Sequence, residues 1–175
     1  MLIRKYLWPD RYFDDISSVT PKLLEELGVR ALICDIDNTL VTYDDPLPTE
    51  SCLEWFESMR TGGIKLSFVS NNRIPRAEIF AEGTGCYAVS QSGKPGVKRL
   101  REAMAFMDVK PDETAVLGDQ IFTDILAGRL AGTKTILVKP IRDKLTPLFR
   151  IKRTLEKPIL RSFSKHIKRK EQKLL

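Results

Sequence analysis

Ala31-Leu32-Ile33-Cys34-Asp35-Ile36-Asp37-Asn38-Thr39-Leu40 is the stretch that decides the fold. Its apolar run is too uniform to alternate between core and solvent, and so predicts a buried strand of a parallel sheet. The run empties into two carboxylates one residue apart, and a small polar pair follows at once. Crowding two acids at the buried end of a strand is costly unless a cation lies between them. A metal is therefore expected at the carboxyl end of this strand, and hard oxygen donors favour magnesium.

Outward from that stretch, strand-like and helix-like patches alternate. Strands are predicted at Val29–Cys34, Lys65–Val69, Cys86–Val89, Ala115–Leu117 and Thr135–Val138. Helical patches fall near Ser51–Arg60, Pro75–Ala81, Gly96–Phe106 and Phe122–Leu130, and a short helix starts at Thr20-Pro21. This alternation predicts an α/β fold with a parallel central sheet covered by helices. Pro75 and Pro95 each suit the first turn of a helix that follows a strand and loop.

With 175 residues, 42% of them hydrophobic, the chain makes one domain with a real core and at most an appendage. No run of 18 apolar residues exists to span a membrane, and the charged start does not read as a secretory signal. Cys34, Cys52 and Cys86 lack metal-ligand spacing and read as reduced core thiols, which points to a cytoplasmic chain. The net charge of +6 conceals an asymmetry: residues 139–175 hold 13 Lys or Arg against 3 acids. Such a segment seeks anions. Within it, Ile151, Leu155, Ile159, Phe163 and Ile167 recur every four positions, an amphipathic helical rhythm that Pro158 should kink or divide. The expected organisation is a core over residues 1–140, including an N-terminal lead-in, and a basic amphipathic segment over 141–175 that is not an independent domain. Trp8, Tyr12 and Phe13 are expected to pack on the body, Trp55 and Phe56 to be helix core, and His166 to be a solvated tail residue.

Four segments at strand ends carry the chemistry. They are Asp35 with Asp37, then Ser70-Asn71-Asn72, then Ser92-Gly93-Lys94-Pro95, then Gly118-Asp119 through Asp124. In an open parallel sheet these ends gather at one edge, where ligands bind. A carboxylate can attack phosphorus and form an acyl phosphate, which suits Asp35. A second acid two residues on can protonate the leaving oxygen and later activate water, which suits Asp37. Asp37 can also offer its carbonyl to the metal. Asp119 completes the metal site, with Asp124 a ligand or support one turn away. Ser70 and Lys94 hold phosphoryl oxygens by a hydroxyl and a point charge. Taken singly, each motif also has a bland reading: a loop acid pair, a helix cap, a surface lysine, a turn. A receiver domain uses similar residues but needs its acceptor aspartate after the third strand, where this chain has Ser92, Gly93 and Lys94.

Asp35-x-Asp37-Asn38-Thr39-Leu40, Ser70, Lys94 and Gly118-Asp119-x-x-x-x-Asp124 resemble, in order and context, the four motifs of the haloacid dehalogenase-like phosphatases. The length, the Ser70-Asn71-Asn72 triplet and the basic tail are similar to the class IIIA branch called the YqeG family, related to mitochondrial phosphatidylglycerophosphate phosphatases. The resemblance covers about Thr20 to about Glu156. It implies a Rossmann-like three-layer α/β/α sandwich and an aspartyl-phosphate mechanism. Asp35 would be the nucleophile, Asp37 the acid/base, and Ser70, Asn71 and Lys94 the phosphate binders. Asp35, Asp37, Asp119 and Asp124 would surround Mg2+.

The spacing also addresses the substrate. Leu40 to Ser67 spans 28 residues and Arg73 to Gly93 spans 21, neither with room for a folded cap domain. Lids close over small metabolites. An open cleft suits a large or membrane-displayed phosphomonoester, with phosphatidylglycerophosphate first by resemblance. The basic segment would then meet a phospholipid headgroup or anionic membrane at the inner face. Nucleic acid stands second as a partner. The alternative function is a non-enzymatic or weakly active anion binder that docks RNA, ribonucleoprotein or membrane through the tail.

Overall fold

The computed structural model describes residues 2–73, 75–142 and 147–171, so positions 143–146 and 172–175 of the basic segment lie outside the described residues. Among the described residues six strands form one sheet: β1 (Arg11–Phe13), β2 (Ala31–Cys34), β3 (Lys65–Val69), β4 (Tyr87–Val89), β5 (Thr114–Gly118) and β6 (Lys134–Val138). Their order is β1-β6-β5-β2-β3-β4, and every pairing is parallel. The chain steps outward from β2 through β3 to β4, then returns to the other flank of β2 as β5. A reversal of this kind opens a crevice at the carboxyl ends of the strands.

Among the described residues seven α-helices cover the sheet: α1 (Leu2–Leu7), α2 (Pro21–Glu26), α3 (Glu50–Thr61), α4 (Arg76–Phe80), α5 (Lys98–Met107), α6 (Leu126–Ala131) and α7 (Pro147–Glu171). In a strand successive side chains face opposite ways. Leu32 and Cys34 of β2 accordingly meet α2, α3 and α4, while Ala31 and Ile33 meet α5 and α6. On α3, Cys52, Trp55, Phe56 and Met59 are buried, and on α5 Leu100, Ala103, Met104 and Met107 repeat the i, i+3, i+4, i+7 stripe. Ile121, Ile125 and Leu137 make a third cluster, against which Leu7, Tyr12, Ile159 and Leu160 pack, so α1 and α7 share one side of the sheet. The result is the expected three-layer parallel α/β fold.

Several expectations need correction. The lead-in is more than packing: Arg11–Phe13 adds a strand beside β6, preceded by α1. Pro95 opens no helix; it lies in a turn closed by the Gly96 N–H donating to the Gly93 carbonyl (2.8 Å), and α5 begins at Lys98. Pro158 does not divide the tail. α7 runs through it, because contacts on both sides of the lost hydrogen bond hold the helix, through Arg153 and Glu156 before it and Phe163 after it. The apolar row is not one face: residues four apart drift by about 40° per step around a helix. Ile151 and Leu155 are 58% and 56% exposed, whereas Phe163 is buried against Trp8. His166 is half-buried, its ring 5.0 Å from that of Trp8.

Phe68 on β3 sits between Phe56 (5.1 Å) and Phe80 (5.3 Å), fully buried. Phe68→Ala should leave a cavity between α3 and α4 and cost about 3–5 kcal/mol of unfolding free energy. Urea denaturation followed by circular dichroism measures this, with a lower midpoint and an unchanged slope expected.

Candidate active site

Asp35 follows β2 directly, and its N–H still bonds the Leu117 carbonyl of β5 (2.8 Å). The chain then turns sharply. Asn38 takes a left-handed backbone (φ 71°), which asparagine tolerates better than most residues, and its N–H donates to the Val41 carbonyl (2.7 Å). The Asn38 amide pairs with both backbone groups of Arg142 (2.5 and 2.8 Å), tying this turn to the chain after β6.

Lys94 is the hub. Its ammonium lies 2.6 Å from Asp35 Oδ1 and 2.7 Å from Asp124 Oδ1, and donates to the Val69 carbonyl at 2.8 Å. The hydroxyl of Thr39 donates to the other Asp35 oxygen (3.3 Å). Asp124 reaches this group through a wide turn over Ile121–Ile125, in which the Ile125 N–H bonds the Gln120 carbonyl five residues back (3.2 Å). Such widened turns recur at functional sites. A regular helix was expected there, and the wider turn is what gives the five-residue spacing of Asp119 and Asp124 a shared destination.

Carboxylate oxygens of Asp35, Asp119 and Asp124 lie within 4.8 Å of one another, all three residues buried. Burial, opposed by Lys94 and reinforced by Asp124 and Asp119, pushes Asp35 up to about 8. Burial, opposed by Arg153 and reinforced by Asp124, pushes Asp119 up to about 7. On Lys94 burial opposes the charge, but Asp124 and Asp35 outweigh it and hold the pKa above its ordinary value. Negative charge here exceeds what the fixed cations offset. Asp119 Oδ1 is moreover buried without a hydrogen-bond partner. A compact set of hard oxygen donors with an open buried oxygen fits a divalent cation.

Asp37 lies apart from that group. Arg76 Nε donates to its Oδ1 (2.9 Å) and the Ser70 hydroxyl to its Oδ2 (3.3 Å). Its carboxylate is thus directed to Arg76 and Ser70 and not into the Asp35, Asp119 and Asp124 group. Asn71 lines the cleft, but its amide is engaged: Oδ1 accepts from the Ser92 hydroxyl (2.6 Å) and the Lys94 N–H (2.8 Å), and Nδ2 donates to the Lys94 carbonyl (3.1 Å). The asparagine fastens the loop that aims Lys94. A cleft of about 290 Å3 opens above, bordered by Asp35, Asp37, Tyr43, Ser70, Asn71 and Gln120. A larger apolar groove of about 710 Å3, lined by Leu53, Phe56 and Phe106 among others, holds none of these polar side chains.

Sequence reasoning missed four side chains. Arg76 is buried, donating to the carbonyls of Pro46 and Asp45 (2.6 Å each) as well as to Asp37, and nothing in its local pattern marks it. Burial, then Asp119, Asp35 and Asp37, raise the Tyr43 pKa. Arg153 and Glu156 of α7 contact the Asp119 segment. Their signal was an acid isolated in a basic run.

Residues 91–140 match a HAD-hydrolase-like family model. Probable phosphatase YqeG of Bacillus subtilis is 38% identical over 159 residues, 91% of this chain and 92% of that protein. Ribonucleotide monophosphatase NagD of Escherichia coli is 48% identical over 46 residues, 26% of this chain and 18% of that protein. Among solved structures, the cobalt-bound deoxy-D-mannose-octulosonate 8-phosphate phosphatase YrbI of Haemophilus influenzae superposes with a TM-score of 0.53 at 16% identity, over 81% of this chain and 91% of that one.

A Cβ on Gly118 would come 2.4 Å from the Asp124 Cβ, an approach that only glycine allows. Gly118→Ala should fold but displace Asp124, lowering kcat/KM for a phosphomonoester about 100-fold. Steady-state kinetics alongside a thermal melt would separate this from unfolding.

Proposed function

The chain belongs to the haloacid dehalogenase-like phosphatases, and from that membership we propose a magnesium-dependent phosphomonoester hydrolase acting through an aspartyl phosphate on Asp35. The proposed substrate is a large or membrane-displayed phosphomonoester, phosphatidylglycerophosphate first. One observation carries the chemistry: Lys94 bridges Asp35 and Asp124 (2.6 and 2.7 Å) beside the open oxygen of Asp119.

In this reading Asp35, Asp119 and Asp124, with the Asp37 carbonyl, would hold Mg2+, which supplies positive charge to offset the phosphoryl oxygens. Ser70, the Asn71 side of the cleft and Lys94 orient the phosphate. An Asp35 oxygen attacks phosphorus while the bond to the leaving oxygen breaks, and Asp37 gives that oxygen its proton. Asp37 then takes a proton from water, whose oxygen attacks the phosphorus of the acyl phosphate, freeing Asp35 and inorganic phosphate. Arg76 and Ser70 keep the Asp37 carboxylate on the side where both transfers occur.

Two features support a large substrate. The stretches where a lid could be inserted hold α3 in one case and α4 with β4 in the other. Beside the cleft, α7 exposes Ile151 and Leu155 among Arg150, Lys157, Arg161, Lys165 and Arg169, a face suited to an anionic bilayer. No helix among the described residues is long and apolar enough to cross a membrane, so contact would be peripheral, at the cytoplasmic face. The proposed organisation keeps 1–140 as the catalytic core and 141–175 as a dependent segment.

With Mg2+, an aryl phosphate should be hydrolysed, and Asp35→Asn should lose about 10^4-fold or more, the scale of removing a nucleophile. Equal rates for the two proteins would sink the enzyme mechanism. For the lipid reading, Ile151→Ser with Leu155→Ser should reduce hydrolysis of phosphatidylglycerophosphate in anionic vesicles about tenfold or more, since each apolar side chain withdrawn from the interface is worth ~1.5–3 kcal/mol. Aryl phosphate turnover should stay unchanged. Retention of RNA but not vesicles would transfer the basic face to the nucleic-acid reading.

A further inference from the structure

Two side chains of α7 that take no part in the chemistry grip the segment carrying Asp119. Arg153 Nη2 donates to Asp119 Oδ2, and its Nη1 donates both to the Asp119 main-chain carbonyl (2.6 Å) and to Glu156 Oε2 (2.9 Å). The other Glu156 oxygen accepts the Ile121 N–H (2.7 Å). Residues 153 and 156 lie on the same helix face and so clasp residues 119–121 at both ends. Glu156 is 2% exposed and Asp119 is 1% exposed, so the contact belongs to the core rather than to a solvated surface pair.

We propose that Arg153 is a positioning residue for the divalent-ion site, supplied by the tail helix: it holds Asp119 by one oxygen and its backbone, so that Oδ1 remains open to the ion. This rests on the reading of Asp35, Asp119 and Asp124 as that site. Like-charge repulsion drives a carboxylate buried beside two other acids away from its neighbours. Arg153 fixes it by geometry. The planar guanidinium presents its donors to the side-chain and main-chain oxygens of one residue in a rigid fork, a fixed geometry that the point charge of a lysine ammonium does not impose. The bonded oxygen is Oδ2, and the oxygen without a hydrogen-bond partner is Oδ1. A positive charge this close also repels a cation. Orientation and repulsion predict opposite signs on removal of Arg153, and the open oxygen favours orientation.

The test reads ion binding without substrate. Calorimetric titration with Mn2+ or Mg2+ would compare wild type, Arg153→Met, Arg153→Lys, Phe163→Ala and Asp119→Asn, each checked by a thermal melt in chelator. Arg153→Met should weaken binding about 10–100-fold, the usual cost of removing an outer partner of a metal ligand. Arg153→Lys, which keeps the charge without the fork, should lie between Arg153→Met and wild type; should Arg153→Met fail to fold, this comparison decides alone. Phe163→Ala loosens α7 at its Trp8 end and should leave ion affinity unchanged. Binding by Arg153→Met as tight as wild type or tighter overturns the proposal. A loss in Phe163→Ala equal to that in Arg153→Met does the same, since the effect is then only helix docking. If Asp119→Asn binds the ion as well as wild type, the metal-site reading itself fails. Loss in Asp119→Asn with none in Arg153→Met removes this inference alone.

Discussion

Three carboxylates buried at one end of a sheet must be held by positive charge, and the architecture follows from that demand. Asp35, Asp119 and Asp124 have oxygens within 4.8 Å of one another, and among the described residues Lys94 and Arg153 bring fixed cations to them. Isolated buried charge is far costlier than any hydrogen bond lost in folding. The strand order satisfies the demand economically. β2 lies between β3 and β5, so Asp35 meets Lys94 from one flank and the Asp119–Asp124 turn from the other. The same sheet edge that crowds the acids therefore delivers their first partner, and a divalent ion would supply the rest.

Asp37 shows how the second acid escapes this crowd. It follows Asp35 by only two residues, yet the left-handed turn at Asn38 and the grip of Arg76 hold its carboxylate on another side of the cleft. Arg76 simultaneously bonds the carbonyls of Asp45 and Pro46. One guanidinium thereby fixes the loop after β2, the start of α4 and a carboxylate between them. Two acids one residue apart in the sequence acquire separate surroundings, as the separate roles proposed for them require.

The legible part of this molecule was the part written in local periodicity. β2 is a short uninterrupted apolar run, β3 is apolar except at Lys65 and Ser67, and α3 and α5 carry clean stripes, so their positions followed from side-chain pattern alone. The motif residues were legible because each follows a strand. β1 was not: three residues, Arg11–Phe13, give no period to detect, and only pairing with β6 makes them a strand. The start of α5 at Lys98 depends on how the Gly93–Gly96 turn closes. Arg76, Arg153 and Glu156 were invisible for a different reason. A charged side chain in a helix reads as solvated unless its distant partner is known, and the partners lie 39, 34 and 35 residues away in sequence.

The tail illustrates why composition alone misassigns roles. Thirteen basic residues against three acids suggested an amphipathic segment that seeks anions and is kinked or divided at Pro158. In the folded chain α7 has two unlike sides. Arg153, Glu156 and Phe163 turn inward to the Asp119 segment and Trp8, while Ile151, Leu155, Lys157 and Arg161 face out. Because the inward side contacts the acid cluster directly, whatever engages the outward side acts on an element already joined to the chemistry. A detachable anchor would leave the cleft indifferent to its fate. Here the helix is bonded to the Asp119 segment, so removing it takes away the Asp119 partner along with the basic face, and only substitutions confined to one side can tell the two roles apart.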